Sequence, residues 1–408
     1  MEKIKLAIIT SHVIQYQTPL FKKLAKHQEI DLSVYFCWKF GSEKTYDFQF
    51  GKIIEWDIPL LAGYKYKFLK NFSLNPSSDF WGQINFGIII ELIKNRPDAV
   101  LVYGWNSFVN WLVFITAFLS GSSVLLHGEN PLNQELLKSK WKLAIKKIIF
   151  GKLLFPRVNA FLYIGEENKK FYQYYGVPEE KLFFTPYAVD NTRFINEAKN
   201  LKSHPPHPPT GGGGSNLKNS IGIDSNSIVI LFVGKLIEKK RSMDLLKAYH
   251  KCITHNSKFI IHLLFVGDGA LRSELEKYIK ENNLKNIHFA GFKNQTELPQ
   301  YYAMADIFVL PSGEGETWGL VVNEAMCFGL PVIVSDVVGC GKDLVKNEEN
   351  GYIFPLGNIQ KLSEYLTDLI KNSKKRESFG KKSFEIIQNY SHEKDIEGIL
   401  KILKLLKQ

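Results

Sequence analysis

Residues 306–326 read DIFVLPSGEGETWGLVVNEAM, and this stretch decides the fold class. An apolar run, Asp306 to Leu310, leads into a glycine-rich loop, and a helical pattern that contains Glu324 follows. A buried strand, a short loop and a helix form the repeating unit of a parallel sheet covered by helices. A helix that begins near Trp318 to Gly319 presents backbone N–H groups and the positive end of its dipole. The stretch therefore predicts an α/β domain with a seat for a phosphate.

The same alternation of apolar runs and helical patterns continues over nearly the whole chain. In the first half the runs are Leu6 to Thr10, Leu32 to Cys37, Ala99 to Tyr103, Ser123 to Leu126 and Ala160 to Ile164. In the second half they are Ser227 to Val233, Phe259 to Val266, Ile287 to Gly291, Asp306 to Leu310 and Pro331 to Ser335. A chain of 408 residues is long enough for two domains. The pattern predicts two Rossmann-like, doubly wound α/β domains that face a cleft.

We place the N-terminal domain at residues 1–195, a junction at 196–222, the C-terminal domain at 223–385 and a C-terminal helix at 386–408. The junction contains a Pro-rich then Gly-rich segment that cannot pack a core. Its Gly211–Ser215 piece resembles an engineered spacer and is equally compatible with a natural low-complexity insertion. The C-terminal helix either packs back on the N-terminal domain or caps its own domain.

Composition narrows the classes of function. The four cysteines never form a C-x-x-C pair, which argues against a zinc site or a disulfide framework and fits a reducing compartment. The net charge of +11 favours polyanions or anionic membranes, or it reflects solvated lysines. No stretch has the pattern of a nucleic-acid-binding module. We expect a mature start without a signal peptide, and a buried helix at Phe108 to Leu119, which is too short to span a bilayer.

Two carboxylates, Glu316 and Glu324, are separated by seven residues, one in the loop and one in the helix. Gly319 lets a diphosphate approach the helix closely. Glu324 can accept hydrogen bonds from vicinal ribose hydroxyls, and Glu316 can accept them from a sugar. The alternative is that Glu316 is a loop charge and Glu324 a solvated helix residue.

A second strand ends at Gly234 and leads into a cluster of cations. Ligands of open parallel sheets bind beyond the carboxyl ends of the strands, so Lys235 and Lys240 are aimed at the crevice. Two lysines at this spacing can flank one diphosphate, although a loop of solvated charges is the alternative. Gly267 makes the next strand-to-helix turn tight, and a bare turn without a ligand is the alternative there.

Taken in order, these motifs resemble the retaining GT-B glycosyltransferases of family 4. The motifs are V-G-K with Lys240, V-G-D-G-A-L-R, P-S with Glu316-x7-Glu324, and G-L-P-V-I-V-S-D. The resemblance is strong over about Val229 to Gly357. It implies retaining transfer without a metal, and no D-x-D metal motif is evident. The donor, a nucleotide-diphosphate sugar, is a substrate, and no cofactor is expected. The predicted donor-binding residues are Gly234, Lys235, Lys240, Gly267, Phe292, Glu316, Trp318, Gly319, Leu320 and Glu324.

The first half resembles the same family more loosely. His127 follows a strand where the family often carries a histidine near the sugar, so we predict that His127 is catalytic together with Glu316 and Lys240. A structural capping histidine is the alternative. The first strand-to-helix loop lacks the pair of glycines found in many relatives. His12, Gln15 and Gln17 in this loop are acceptor-side candidates, and a plain helix-capping loop is the competing interpretation.

These residues predict a cytoplasmic glycosyltransferase that modifies a hydroxyl of a glycan or a lipid-linked acceptor. A nucleotide-sugar 2-epimerase of the same fold and a non-catalytic partner subunit are the alternatives. The stretch from Leu136 to Phe150 also has an apolar stripe, Leu137, Trp141, Ala144 and Ile148, beside a row of lysines. On a helix this pattern predicts docking on the anionic inner face of a membrane, or else ordinary packing on the first domain.

Overall fold

A computed structural model describes residues 3–203, 218–219, 222–224, 226–254 and 258–407. The chain clusters into two compact units. Unit 1 comprises Met1–Thr45, Ile54–Val189 and Ser391–Gln408, and unit 2 comprises Tyr46–Ile53 and Asp190–Tyr390. The Pro-rich and Gly-rich part of the predicted junction, including Gly211–Ser215, lies outside the described residues.

The first 189 residues contain the strands of unit 1 and, at residues 45–54, two short strands that lie largely in the Tyr46–Ile53 segment of unit 2. They are β1 (Ile4–Thr10), β2 (Ile30–Phe36), β3 (Thr45–Asp47), β4 (Lys52–Ile54), β5 (Lys65–Phe68), β6 (Ala99–Tyr103), β7 (Ser123–His127), β8 (Ala160–Tyr163) and β9 (Leu182–Phe184). Within the described residues, seven of them form one parallel sheet in the order β5-β2-β1-β6-β7-β8-β9. Strands β3 and β4 pair with each other in a separate sheet.

Unit 2 has a second parallel sheet. Its strands are β10 (Ile228–Val233), β11 (Ile261–Val266), β12 (Ile287–Gly291), β13 (Ile307–Leu310), β14 (Val332–Ser335) and β15 (Gly351–Phe354). In the part of the chain that the structure describes, their order is β12-β11-β10-β13-β14-β15. Strands β10 and β11 are buried along their full length, as expected for strands covered on both faces.

Helices cover both sheets. They are α1 (Thr18–Lys26), α2 (Gly87–Asn95), α3 (Phe108–Ser120), α4 (Leu132–Glu135), α5 (Lys140–Ile148), α6 (Glu166–Tyr174), α7 (Asn191–Ser203), α8 (Ser242–Thr254), α9 (Arg272–Glu281), α10 (Leu298–Ala303), α11 (Leu320–Cys327), α12 (Gly341–Leu344), α13 (Ile359–Lys371), α14 (Ser373–Ile387) and α15 (His392–Leu405). In each sheet the strands follow one another outward from a central pair, as in the Rossmann fold. The central pair is β1 and β6 in the first sheet and β10 and β13 in the second. The predicted fold class, two Rossmann-like α/β domains, is confirmed.

Helix α3 differs from the buried helix that its composition predicts. It buries one face, which includes Val109, Val113 and Phe114, while Ile115 and Leu119 are exposed. The sequence of this helix is apolar on both faces, which predicts burial all round. It does not indicate which face is left exposed in the structure. Among the described residues, no helix has the length and apolar content needed to cross a membrane.

The C-terminal end of the chain returns to unit 1. Helix α15 contacts β9 and α1, and Lys23 on α1 forms an ion pair with Glu393. A side chain at Gly398 would lie 2.3 Å from the carbonyl oxygen of Phe184, so a glycine is needed for this close packing. Residues 391–408 thus cluster with unit 1, and the preceding residues up to Tyr390 cluster with unit 2.

Candidate functional site

Most of the predicted donor residues follow β10 or β13, the two strands at which the strand order of unit 2 reverses. Strands β10 and β13 are neighbours, but the chain continues from them toward opposite edges of the sheet. In open α/β sheets this reversal leaves a crevice at the carboxyl ends of the strands, where ligands bind. The loop after β10 carries Lys235 and Lys240, and the loop after β13 carries Glu316.

Direct contacts hold these two loops together. The N–H of Gly313 donates to the carbonyl of Lys239 at 2.7 Å, and Lys239 Nζ donates to the carbonyl of Gly315 at 2.7 Å. Lys240 Nζ forms an ion pair with Glu316 Oε2, and both side chains are largely buried. The structure therefore brings together Lys240 and Glu316, two of the residues predicted to be catalytic.

Lys239 adds a third cation that the sequence prediction did not include. Burial lowers the pKa of its ammonium; nearby Glu316 raises it, and Lys240 and Lys235 lower it, with a net decrease. Burial is the main cause of this decrease, and the neighbouring ammonium groups of Lys240 and Lys235 contribute less to it. The run of adjacent lysines, 239 and 240, was the signal in the sequence that could have identified it.

Helix α11 begins beside this cluster. Gly319 precedes its first residue with φ +103°, and a side chain there would lie 2.8 Å from Leu310 Cδ2. Leu320 then starts the helix, so the first N–H groups of α11 follow Gly319 as predicted. Trp318 is buried, and its Nε1 donates to Asn323 Oδ1 at 2.9 Å. Only the backbone of Trp318 is therefore suited to a donor contact.

Glu324 occupies the interior of the same helix. Its side chain has no exposed surface, and the Tyr302 hydroxyl donates to Glu324 Oε2 at 2.6 Å. The alternative of a solvated helix residue is therefore wrong. A ribose can reach this carboxylate only when the residues that cover it move, and the assignment of Glu324 to the ribose stays a prediction.

Glycines bring the ends of β10, β11 and β12 close together. The N–H of Gly234 donates to Val266 at 2.9 Å, and the N–H of Gly267 donates to Gly291 at 2.8 Å. A side chain at Gly267 would lie 1.9 Å from the carbonyl oxygen of Gly234. Phe292 follows at the end of β12 and is half-buried. Gly267 thus shapes the backbone under Lys235 by packing.

The remaining predicted residues belong to unit 1. His127 ends β7 and is buried, and its ring lies 4.7 Å from that of Tyr103. Burial lowers the pKa of His127 to about 4, so the imidazole is neutral at pH 7. Within the described residues, His127 Nδ1 has no hydrogen-bond partner. A capping role requires such a partner, so this favours the interpretation of His127 as a site residue.

The three acceptor-side candidates lie in the loop after β1. Ser11 Oγ and His12 Nδ1 are 2.9 Å apart, and burial lowers the pKa of His12 to about 4. Gln17 is buried, accepts a hydrogen bond from Thr10 Oγ1 at 3.1 Å, and precedes α1 without a capping bond from its side chain. Gln15 is half-buried. His12, Gln15 and Gln17 stay acceptor-side predictions.

Residues 215–386 match the family model for glycosyl transferases group 1. The chain is 32% identical over 176 residues to an uncharacterized glycosyltransferase of Methanocaldococcus jannaschii, which covers 43% of this chain and 48% of that protein. It is 36% identical over 145 residues to UDP-Gal:alpha-D-GlcNAc-diphosphoundecaprenol alpha-1,3-galactosyltransferase of Escherichia coli, which covers 34% of this chain and 35% of that protein. The chain spans about half the length of the first curated relatives that it matches.

The fold also has close counterparts among solved structures. The structure of Anabaena HepE in complex with UDP superimposes with a TM-score of 0.71 and 18% identity, and the match covers 98% of this chain and 99% of that one. This similarity supports the fold over both units.

Proposed function

We propose, on the premise that residues 215–386 form a glycosyl transferases group 1 domain, that the chain is a retaining glycosyltransferase that works without a metal. It moves a sugar from a nucleotide-diphosphate sugar to a hydroxyl of a glycan or lipid-linked acceptor. The observation that carries this proposal is the cluster of Lys235, Lys239 and Lys240 beside the first turn of α11, at the strand-order reversal of unit 2.

The chemistry follows from where charge develops. Cleavage of the glycosyl–phosphate bond leaves negative charge on the diphosphate, and fixed cations and helix N–H groups stabilise that charge before it forms. Lys240 is held by Glu316, so its ammonium is already oriented. Glu316 in turn can accept hydrogen bonds from sugar hydroxyls. Retention rests on the family resemblance alone.

Relatives support the substrate class. The Escherichia coli relative acts on a lipid-linked diphosphate sugar with a UDP-sugar donor, and the Anabaena structure contains UDP. We infer a similar donor for this chain, with His127, neutral at pH 7, as a catalytic candidate and His12 and Gln15 among the candidate contacts of the acceptor.

A donor screen tests the proposal. The full chain is incubated with UDP-, GDP- and ADP-sugars, and nucleotide release and the identity of the remaining sugar are followed. Release of a nucleoside diphosphate with one donor supports a transferase. Conversion of the sugar to its 2-epimer contradicts it and supports the epimerase alternative, and binding without any turnover supports a non-catalytic subunit.

We expect the active donor in this screen to be turned over equally with and without EDTA, because lysines and helix N–H groups neutralise the leaving diphosphate. Release rates are compared after dialysis against EDTA and after addition of magnesium or manganese. Loss of at least tenfold on chelation, with recovery on adding either metal, contradicts the metal-free mechanism.

We further propose that α5 docks the enzyme on an anionic membrane, through an apolar face that keeps three of the four residues of the predicted stripe. The helix begins at Lys140, so Leu137 and Lys138 lie outside it. Lys138 and Lys146 both form ion pairs with buried Glu135 at 2.7 Å, and they neutralise its charge. The apolar side chains exposed on α5 are Trp141, Ala144 and Ile148 of the predicted stripe, with Ile145 beside them.

Liposome flotation tests this proposal. We expect the wild type to float with anionic vesicles at low salt, because Trp141, Ile145 and Ile148 insert while nearby lysines attract the surface. Replacing these three residues by serine should leave the protein in the soluble fraction. The matched control replaces exposed Ile90 and Ile93 of α2 by serine and should float like the wild type. Equal flotation of the α5 variant and the wild type contradicts the proposal.

A further inference from the structure

The segment from Tyr46 to Ile53 belongs to unit 2, although the residues on both sides of it belong to unit 1. Its side chains surround the Lys235 ammonium. Lys235 Nζ lies 3.0 Å from Asp47 Oδ2 and 3.2 Å from Asp47 Oδ1, and 2.7 Å from Gln49 Oε1. Both members of the Lys235–Asp47 ion pair are mostly buried. A lysine proposed to bind the donor diphosphate is thus already held by a carboxylate.

Other contacts hold this segment independently of Asp47. Lys52 Nζ pairs with Asp268 Oδ2 at 3.2 Å, and the ring of Phe50 lies edge-on to Phe292 at 5.0 Å. The Lys235 ammonium also lies 4.7 Å from the centre of the Phe50 ring. We therefore expect the segment to stay docked through Lys52 and Phe50 when the charge of Asp47 is removed.

The Asp47 carboxylate is fixed in place and ionised. Its Oδ1 accepts the N–H groups of Gln49 at 2.8 Å and Phe50 at 3.0 Å. Burial raises the pKa of Asp47. The hydrogen bonds from Lys235 and from these N–H groups together lower it by more, so the net shift of the pKa is downward. The group is negative at neutral pH. A preordered anion on Lys235 resembles a phosphate oxygen in charge and in its hydrogen bonds.

We propose that Asp47 sets the affinity of the donor site by competing with the donor diphosphate for Lys235. The inference rests on the proposed function of that site. Because the ammonium of Lys235 cannot pair fully with two anions at once, a bound diphosphate must displace Asp47 or share Lys235 with it. The competition acts on the charged diphosphate and spares the neutral nucleoside. Asp47 thereby weakens retention of the nucleoside diphosphate product as well as of the donor.

Calorimetric titration of the full chain tests the competition. UDP, GDP and ADP are titrated into the wild type and Asp47→Asn, together with the matching nucleosides. We expect Asp47→Asn to lower the Kd of the bound diphosphate by about fivefold, the size of a partly exposed ion pair. Nucleoside binding should not change. Asp31→Asn, which removes a carboxylate paired with Lys65 at 2.9 Å in unit 1, is the matched control and should behave as the wild type.

A double-mutant cycle separates competition from a change in the fold. In a Lys235→Met background, Asp47→Asn should no longer alter diphosphate affinity. An unchanged or higher Kd in Asp47→Asn alone, or equal tightening of the nucleoside, overturns the inference while the donor site stands. Absence of diphosphate binding by both the wild type and Asp47→Asn overturns the proposed function and the inference with it.

Discussion

Lys240→Ala is expected to lower turnover of the nucleotide-sugar donor by about a hundredfold. This is the usual loss when a preorganised charge or hydrogen-bonding group that stabilises a developing anion is removed. The ammonium of Lys240 is held by Glu316 at the reversal of the strand order, so no rearrangement is needed as the diphosphate departs. The measurement is single-turnover release of nucleoside diphosphate with the donor found in the screen, which separates chemistry from product release.

The control for this prediction is Lys251→Ala. Lys251 lies on α8 in the same unit, and its Nζ donates to Gln360 at 3.0 Å on the surface. We expect its turnover to match the wild type. Lys240→Ala leaves Glu316 without its ammonium, so circular dichroism must show a folded protein. A folded Lys240→Ala variant with turnover close to that of Lys251→Ala contradicts the assignment of Lys240 to the leaving group.

Local sequence patterns were enough to predict that Lys240 and Glu316 lie at the same edge of the second sheet. A buried strand, a glycine and a charged or helical stretch follow one another within about a dozen residues, and the parallel arrangement then brings their ends to one edge of the sheet. Lys240 and Glu316 are 76 residues apart, yet each was found from its own strand end. Their mutual ion pair follows from the topology.

Contacts between segments that are distant in the sequence could not be predicted from local patterns. Asp47 and Lys235 are 188 residues apart, and nothing in the short polar stretch around Asp47 indicates its partner. The edge strand β5, with sequence KYKF, was missed because it is mostly exposed and lacks an apolar run. The pairing of Lys138 and Lys146 with Glu135 likewise depends on how α4 and α5 fold against each other. Pairings of this kind are set by tertiary structure.

Gly267→Ala is expected to destabilise unit 2 by about 3 kcal/mol, among the largest effects of a single methyl group. Gly267 has φ +137°, which side chains rarely adopt, and the new methyl would lie 1.9 Å from the carbonyl oxygen of Gly234. The methyl carbon is bonded directly to Cα and the oxygen belongs to the backbone, both at the ends of buried strands, so neither can move aside by a side-chain rotation. Urea unfolding monitored by circular dichroism measures the loss.

Gly291→Ala is the matched control, because Gly291 has φ +71° and no atom within 4 Å of the added methyl. We expect it to lose only about 1 kcal/mol, from the left-handed backbone alone. The difference between the two variants therefore isolates the clash with Gly234. Since Gly234 directly precedes Lys235, relief of that clash displaces the lysine, and folded Gly267→Ala should also bind nucleoside diphosphate more weakly than Gly291→Ala. Equal stability and equal affinity in the two variants contradict a packing role of Gly267 beneath the donor site.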